Sequence, residues 1–211
     1  MTTSRGADLK TQLPLIAILR GVTPDEVAAH VEALVAAGFG LIEIPCNSPQ
    51  WQRSVTTAIE VAAGRAMVGA GTVLSTHDVD ALVATGASLM VTPNTDPLVI
   101  RRAVDAGLIC AVGFATPTEG FAACAAGAQA LKLFPAASFG PSYVRAIKAV
   151  LPNEIPIFAV GGITPTNLAD FLDAGCTGAG LGSDLYKPGQ TPAETGERAQ
   201  AFVDAYKRYA S

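Results

Sequence analysis

One lysine of this chain lies in the middle of an apolar run, where a lysine is least expected. Lys132 stands between Leu131 and Leu133, and the run as a whole predicts a buried β-strand. Removing an ammonium group from water is costly, so burial lowers the pKa of the amine and favours its neutral, nucleophilic form. Such an amine condenses with a carbonyl group to form a Schiff base. The alternatives are a lysine that snorkels from an edge strand or one paired with a carboxylate for structure alone.

A glutamate is equally out of place in an earlier apolar run. Glu43 lies between Ile42 and Ile44. A partly buried carboxyl group close to an amine can transfer protons near neutral pH. The alternative is a permanent salt bridge from Glu43 to Lys132 or to Arg20.

The elements that must position these residues alternate along the chain. Eight short apolar segments, each followed by a helical segment, predict a parallel sheet with helices on its outside. The count of eight favours an α/β fold of the closed (β/α)8 TIM-barrel type. A doubly wound open sheet is the alternative, but no GxGxxG motif follows the first strand. We expect one domain over residues 1–211, with a short N-terminal leader and a C-terminal helix over about 192–209.

Several predicted elements have recognisable ends. Thr23, followed by Pro24 and by Glu26, predicts a helix start with Thr23 as its N-cap. A second start of this kind begins at Thr116. The eight predicted strands cover residues 15–19, 40–45, 67–72, 88–93, 108–113, 128–135, 155–160 and 177–181.

Alternation along the strands brings polar side chains to one end of this barrel. In such a fold the active site lies at the C-terminal ends of the strands, and side chains point alternately inward and toward the helices. Four strands have inward faces that predict one shared pocket. These faces are residues 16, 18 and 20, residues 41, 43 and 45, residues 68, 70 and 72, and residues 130, 132 and 134. We expect it to contain Arg20, Glu43, Thr72 and Lys132, with walls formed by Thr92, Pro93 and Phe134.

Glycines after the last two strands predict a phosphate site. Gly161 and Gly162 follow the seventh strand, and Gly182 and Ser183 follow the eighth. Backbone N–H groups at helix N-termini bind anions, and the loops after strands seven and eight are the usual phosphate site of this fold. Glycine pairs also occur in plain tight turns, so the two pairs together carry the prediction.

Composition excludes several other classes of protein. The net charge of −4, without a basic block, argues against a nucleic-acid partner. No apolar run reaches the roughly 18 residues that span a bilayer, and the polar N-terminus does not resemble a signal peptide, so we expect a cytoplasmic protein without a membrane partner. Without CxxC pairs or His/Cys clusters, we expect free cysteines and no metal. Cys110 and Cys124 are expected in the core, and His30 and His77 at surface positions of helices.

Short motifs spread over nearly the whole chain resemble one family. They are Ala17–Gly21, Ile42–Ile44, Gly69–Val73, Val91–Pro93, Leu131–Pro135, Gly161–Ile163 and Gly182–Ser183. Together they resemble the class I 2-keto-3-deoxy-6-phosphogluconate/phosphogalactonate aldolases. The resemblance implies a Schiff base on Lys132, acid/base catalysis by Glu43, binding of the pyruvoyl end by Arg20 and Thr72, and binding of phosphate by Gly161, Gly162 and Ser183. It also implies a homotrimer that needs no cofactor and no metal.

Two positions are similar to the phosphogalactonate branch of that family. Val160 stands before Gly161 where the phosphogluconate branch has a threonine, and no arginine occurs between Pro45 and Trp51. Val160 offers no hydrogen bond to an epimer that needs one. Cys46 departs from the phosphogalactonate branch, where an aliphatic residue is expected, and Trp51 is either a lid or a trimer contact.

The expected reaction is therefore cleavage of 2-dehydro-3-deoxy-6-phosphogalactonate to pyruvate and D-glyceraldehyde 3-phosphate. The alternatives are an aldolase for the phosphogluconate epimer, one for both epimers or for 4-hydroxy-2-oxoglutarate, a phosphosugar isomerase, and a non-catalytic phosphate-binding barrel.

Overall fold

The computed structural model describes Leu9 and residues 13–210. Eight parallel strands close into a barrel in chain order, with β8 hydrogen-bonded to β1, so the predicted (β/α)8 barrel is confirmed. All these elements belong to one barrel, and we propose that the whole chain is one domain; most of the predicted leader lies outside the described residues. The strands are β1 Leu15–Ile18, β2 Leu41–Pro45, β3 Met67–Gly71, β4 Leu89–Val91, β5 Ile109–Phe114, β6 Ala130–Leu133, β7 Ile157–Val160 and β8 Gly178–Leu181.

Helices cover the outside of the barrel. They are α1 Val27–Ala36, α2 Trp51–Ala62, α3 Thr76–Ala84, α4 Pro97–Asp105, α5 Pro117–Ala125, α6 Ala136–Lys148, α7 Leu168–Asp173 and α8 Pro192–Ala210. The predicted capping box at Thr116 and Glu119 is present. Within the described residues, no helix combines the length and the apolar character needed to cross a lipid bilayer.

The predicted start of α1 at Thr23 is wrong. The hydroxyl of Thr23 donates to the Glu26 carboxylate at 2.7 Å instead of accepting from a backbone N–H of the first turn. Residues 24–26 form a turn, and the helix begins at Val27, whose N–H donates to the Thr23 carbonyl.

Two apolar layers hold the barrel. Inward side chains of the strands form an inner cluster that includes Ile16, Leu41, Leu89 and Phe158, and Leu9 packs into the same cluster. A larger outer cluster fills the space between strands and helices. Trp51, 8 % exposed, belongs to this outer cluster, which argues against a lid.

The inward face of β3 is offset by one residue from the prediction. Val68 and Ala70 pack in the outer cluster, whereas Met67 packs against the inner one. Gly69 and Gly71 therefore face inward: a Cβ on Gly71 would lie 1.5 Å from Oε2 of Glu43. Glycine has no side chain whose polarity could indicate the inward face of β3. The sequence pattern therefore assigned that face to the apolar neighbours Val68 and Ala70.

One histidine and one cysteine also differ from expectation. His30 is buried rather than at the surface, because it lies on the same face of α1 as Val27, Val31 and Leu34. Cys110 is buried as expected, but Cys124 is only half-buried at the edge of the core.

Candidate active site

The C-terminal ends of the strands open into a cavity of about 540 Å³. Most of the predicted site residues meet there. Arg20, Thr72, Pro93, Lys132, Phe134, Val160, Gly161, Gly162, Gly182 and Ser183 all line the cavity. Glu43 and Thr92 lie behind its wall.

The Lys132 amine lies at the inner end of the cavity. Strand β6 places this side chain on the inward face, where it is 5 % exposed, and its Nζ lies 5.4 Å from the centre of the Phe134 ring. Burial lowers the pKa of Lys132; the nearby Glu43 carboxylate raises it, and the Arg20 guanidinium lowers it further. The net shift is downward, which favours the neutral amine that attacks a carbonyl.

Glu43 reaches the amine from β2. Its Oε1 lies 3.9 Å from Nζ of Lys132, within ion-pair range but too far for a hydrogen bond. Its Oε2 is buried and has no hydrogen-bond partner among the described residues. Burial raises the pKa of the carboxyl, opposed by Lys132 and Arg20. A carboxyl group with a raised pKa beside an amine with a lowered pKa can both accept and donate a proton.

Arg20, just after β1, presents its guanidinium at the cavity wall. Its Nη1 donates to Oδ1 of Asn47 at 2.6 Å, and Nη1 and Nη2 both lie 3.5 Å from the Thr72 hydroxyl. Ser48, beside Asn47, accepts from the Gly21 N–H at 2.9 Å, so the loops after β1 and β2 are joined. A guanidinium oriented in this way can bind a carboxylate through its remaining N–H groups.

Thr72 reaches the cavity by a route that differs from the prediction. Strand β3 ends at Gly71, and Thr72 has a positive φ of 56°. A β-branched residue in the left-handed region is a genuine outlier. This conformation turns the side chain toward Arg20, which strand alternation alone would not do.

Thr92 supports the wall instead of lining it. Its hydroxyl accepts from the Gly113 N–H at 3.0 Å and donates to the Asn94 carbonyl at 2.6 Å. Both bonds fix the loop after β4, and that loop places Pro93 in the cavity wall.

The predicted phosphate end has turns where helix N-termini were expected. Gly161 and Gly162 both have positive φ, and α7 begins only at Leu168. After β8, the carbonyl of Gly182 accepts from two N–H groups, those of Leu185 and Tyr186, in a short turn. Successive backbone N–H groups in such turns can still bind an anion.

Sequence patterns missed several residues around the cavity. Besides Asn47, they are Ile163, Asp184, Tyr186, Lys187 and Pro188. Lys187 adds a cation to the end formed by Gly182 and Ser183. The sequence feature that could have predicted Lys187 is its position, only five residues after Gly182 in a segment without periodicity.

A protein-held metal finds no support in the described part of the chain. No group of three or more His, Cys, Asp or Glu residues there has an arrangement that could bind an ion.

The chain is similar to known aldolases over almost its full length. The sequence profile described as KDPG and KHG aldolase matches residues 7–198. The 2-dehydro-3-deoxy-6-phosphogalactonate aldolase of Escherichia coli (strain K12) is 57 % identical over 198 residues, which are 94 % of this chain and 97 % of that protein.

Solved structures agree with this similarity. A structure described as native KDPGal is 56 % identical, with a TM-score of 0.92, and the match covers 94 % of this chain and 96 % of that one. A cube-shaped protein cage designed by fusing symmetric oligomeric domains contains a chain with the same identity and TM-score, matched over 94 % of this chain and 73 % of that one.

Proposed function

From the premise that this chain belongs to the KDPG and KHG aldolase family and is a carbon–carbon lyase, we propose that it cleaves 2-dehydro-3-deoxy-6-phosphogalactonate to pyruvate and D-glyceraldehyde 3-phosphate. The observation that carries the mechanism is a buried amine with a lowered pKa, Lys132, 3.9 Å from a buried carboxyl group, Glu43. Neither a cofactor nor a metal enters the proposed steps.

Lys132 begins the reaction as the nucleophile. Its neutral amine adds to the C2 ketone, the carbinolamine takes one proton from Glu43 and loses water, and the protonated imine forms, with Glu43 left as a carboxylate. Glu43 takes the proton of the C4 hydroxyl, the electrons of the C3–C4 bond move into the imine to give an enamine, and the aldehyde departs. Glu43 returns its proton to C3, and hydrolysis of the protonated imine releases pyruvate, regenerates the neutral Lys132 amine and gives the remaining proton back to Glu43.

The carboxylate end and the phosphate end of the substrate bind on opposite sides of the Lys132 amine. Arg20 and Thr72 bind the carboxylate next to the ketone, because the guanidinium is already oriented by Asn47. Backbone N–H groups around Gly161, Gly162, Gly182 and Ser183 bind the phosphate, with Lys187 as a nearby cation. Holding both ends places the C3–C4 bond in line with the imine.

Val160 supports the assignment to the galacto epimer. It lines the cavity, and a Cβ on Gly180 would lie 2.7 Å from its Cγ2, so its side chain is fixed against β8. An apolar group at this position gives no hydrogen bond to a C4 hydroxyl, which disfavours an epimer that needs one.

We also propose a homotrimer that acts in the cytoplasm. Large apolar side chains at the surface support self-association: Leu98 is 67 % exposed, Leu74 53 % and Phe121 47 %. Four free cysteines are typical of a reducing compartment. Sedimentation equilibrium tests the trimer, and a monomer at micromolar concentration would rule it out. Neither a nucleic acid nor a membrane is a proposed partner.

Trapping of the covalent intermediate tests the central proposal. Borohydride added with pyruvate should reduce an imine, and peptide mapping should find the added mass on Lys132. The Lys132→Arg variant should bind pyruvate but show neither trapping nor turnover. A modification on another side chain, or turnover by Lys132→Arg, would contradict the mechanism.

The substrate assignment needs a separate assay. Both C4 epimers are given to the wild-type protein, and pyruvate is measured with a coupled dehydrogenase. The galacto compound should have the higher kcat/KM, and a strong preference for the gluco compound would contradict the assigned role of Val160.

A further inference from the structure

The segment between β8 and α8 supplies much of one side of the cavity without regular secondary structure. Its contributions are Ser183, Asp184, Tyr186, Lys187 and Pro188. A loop of this kind keeps a binding shape only when other groups hold it, because loops have low local stability on their own.

The side chain of Gln190 links both parts of this segment. Its Oε1 accepts from the backbone N–H of Lys187 at 3.0 Å. Its Nε2 donates to the Leu185 carbonyl at 2.9 Å and to the Thr195 hydroxyl at 2.7 Å. One amide group therefore closes the turn that carries Lys187 and ties it to α8.

Thr195 and His30 anchor Gln190 to the body of the barrel. Thr195 is fully buried in α8, and its Oγ1 lies 2.8 Å from Nδ1 of His30 on α1. The His30 ring also packs edge-on against the ring of Tyr186, with the centroids 4.9 Å apart. Arg198 of α8 also bonds the segment: its Nη1 donates to the Asp184 carbonyl, at a longer distance of 3.4 Å.

We propose that Gln190, held by Thr195 and His30, is a positioning residue for the phosphate end of the cavity. It sets the backbone of the segment, and with it Lys187, in the shape that receives a phosphate group before the substrate arrives. This inference rests on the proposed function in one respect, that the group bound here is a phosphate. Pre-ordering of a loop contributes to affinity, because binding then no longer has to order it.

Steady-state kinetics separate positioning from chemistry. Gln190→Ala should raise KM for the phosphorylated substrate about tenfold while kcat falls less than twofold. Solvent exchange of the pyruvate methyl protons needs the imine but no phosphate, so its rate should be unchanged. Unchanged KM, or an equal loss in the exchange reaction, would overturn the proposal.

A matched pair of variants guards against a general folding defect. Thr195→Val removes the hydroxyl at nearly constant volume and should reproduce the rise in KM, whereas Thr195→Ser should restore the wild-type value. Gln200→Ala removes an exposed amide of α8 that bonds only Asp204 among the described residues, and it should change neither constant. Equal KM values for the Val and Ser variants would contradict the role of the hydroxyl.

Calorimetry with inorganic phosphate tests the proposal without turnover. Gln190→Ala should bind phosphate several-fold more weakly than the wild type. Equal affinities would overturn the inference, whatever sugar acid the wild type cleaves. Failure of the wild type to cleave the phosphogalactonate would instead contradict the proposed function and leave the phosphate comparison valid.

Discussion

Replacement of Gly71 by alanine should disable Glu43, the proposed acid/base group, without changing its chemical identity. A Cβ at this position would lie 1.5 Å from Oε2 and 2.5 Å from Cδ of Glu43, whereas real Cβ atoms essentially never approach closer than 3.0 Å. The carboxyl group must therefore move by 1.5 Å or more, or β3 must shift. Glu43 is 1 % exposed, so the carboxyl group cannot relieve the clash by turning outward into bulk solvent.

The size of the effect follows from that displacement. Misplacing a catalytic group by about 1 Å can cost about 100-fold in rate. We therefore expect Gly71→Ala to lower kcat by about 100-fold, which corresponds to roughly 2.7 kcal/mol of transition-state stabilisation. Overpacking of a core costs about 1–3 kcal/mol of folding free energy, so the variant should fold with a somewhat lower Tm.

Two assays on Gly71→Ala distinguish this explanation from a folding defect. Borohydride trapping of pyruvate on Lys132 should persist, because the amine is unchanged, while exchange of the pyruvate methyl protons should fall with kcat. Gly196→Ala is the matched control: its new Cβ meets only Ala33 at 3.8 Å, and alanine should stabilise helix α8 by about 0.5–1 kcal/mol. A folded Gly71→Ala variant with wild-type kcat would refute the reasoning.

Four further predictions concern the same cavity and its surroundings. Because burial lowers the pKa of Lys132, kcat/KM should fall as the pH decreases through that lowered pKa. Arg20 also lowers the pKa of Lys132, so Arg20→Gln should move the acidic limb of the pH–rate profile to higher pH. An unmoved limb would contradict the electrostatic coupling between Arg20 and Lys132. Asn47→Ala removes the 2.6 Å bond that orients Arg20 and should raise KM for pyruvate in the exchange assay by about two- to thirteenfold, from a loss of about 0.5–1.5 kcal/mol, with little change in kcat. Lys187→Met should raise KM for the phosphorylated substrate but leave pyruvate exchange intact, and equal effects on both would place Lys187 in the chemistry. Cys110 is buried with a pKa of about 12, so iodoacetamide at pH 8 should modify it only after unfolding, which mass spectrometry of native and denatured protein checks.

The proposed catalytic pair was predictable from sequence because each member breaks an otherwise apolar strand. Lys132 and Glu43 are charged residues inside runs of Leu and Ile, and such positions have few explanations other than an ion pair or a reactive site. The barrel was predictable for a related reason, since eight repeats of strand and helix leave few ways to bury both faces of the sheet.

The parts that were not predictable depend on backbone conformation. Glycine gives no sign of which face of β3 points inward, so Gly71 was missed, and nothing in the sequence indicates that Thr72 adopts a left-handed conformation. His30 was misassigned by its polarity, although its spacing from Val27 and Val31 fits the buried face of α1. Gln190 makes two bonds within a loop and one to Thr195 of α8, and such bonds have no periodic signature.

The apolar filling of the barrel has a consequence for the order of events. Inner side chains such as Ile16, Leu41 and Phe158 occupy the space on the N-terminal side of Lys132, so the amine is approached from the open C-terminal mouth. In the proposed reaction, the three-carbon aldehyde forms nearer to this mouth than the keto acid that stays bound to the amine. The aldehyde must therefore diffuse out first, and in the condensation direction pyruvate must enter before its acceptor. Product inhibition should follow that sequence, with pyruvate competitive against the sugar acid.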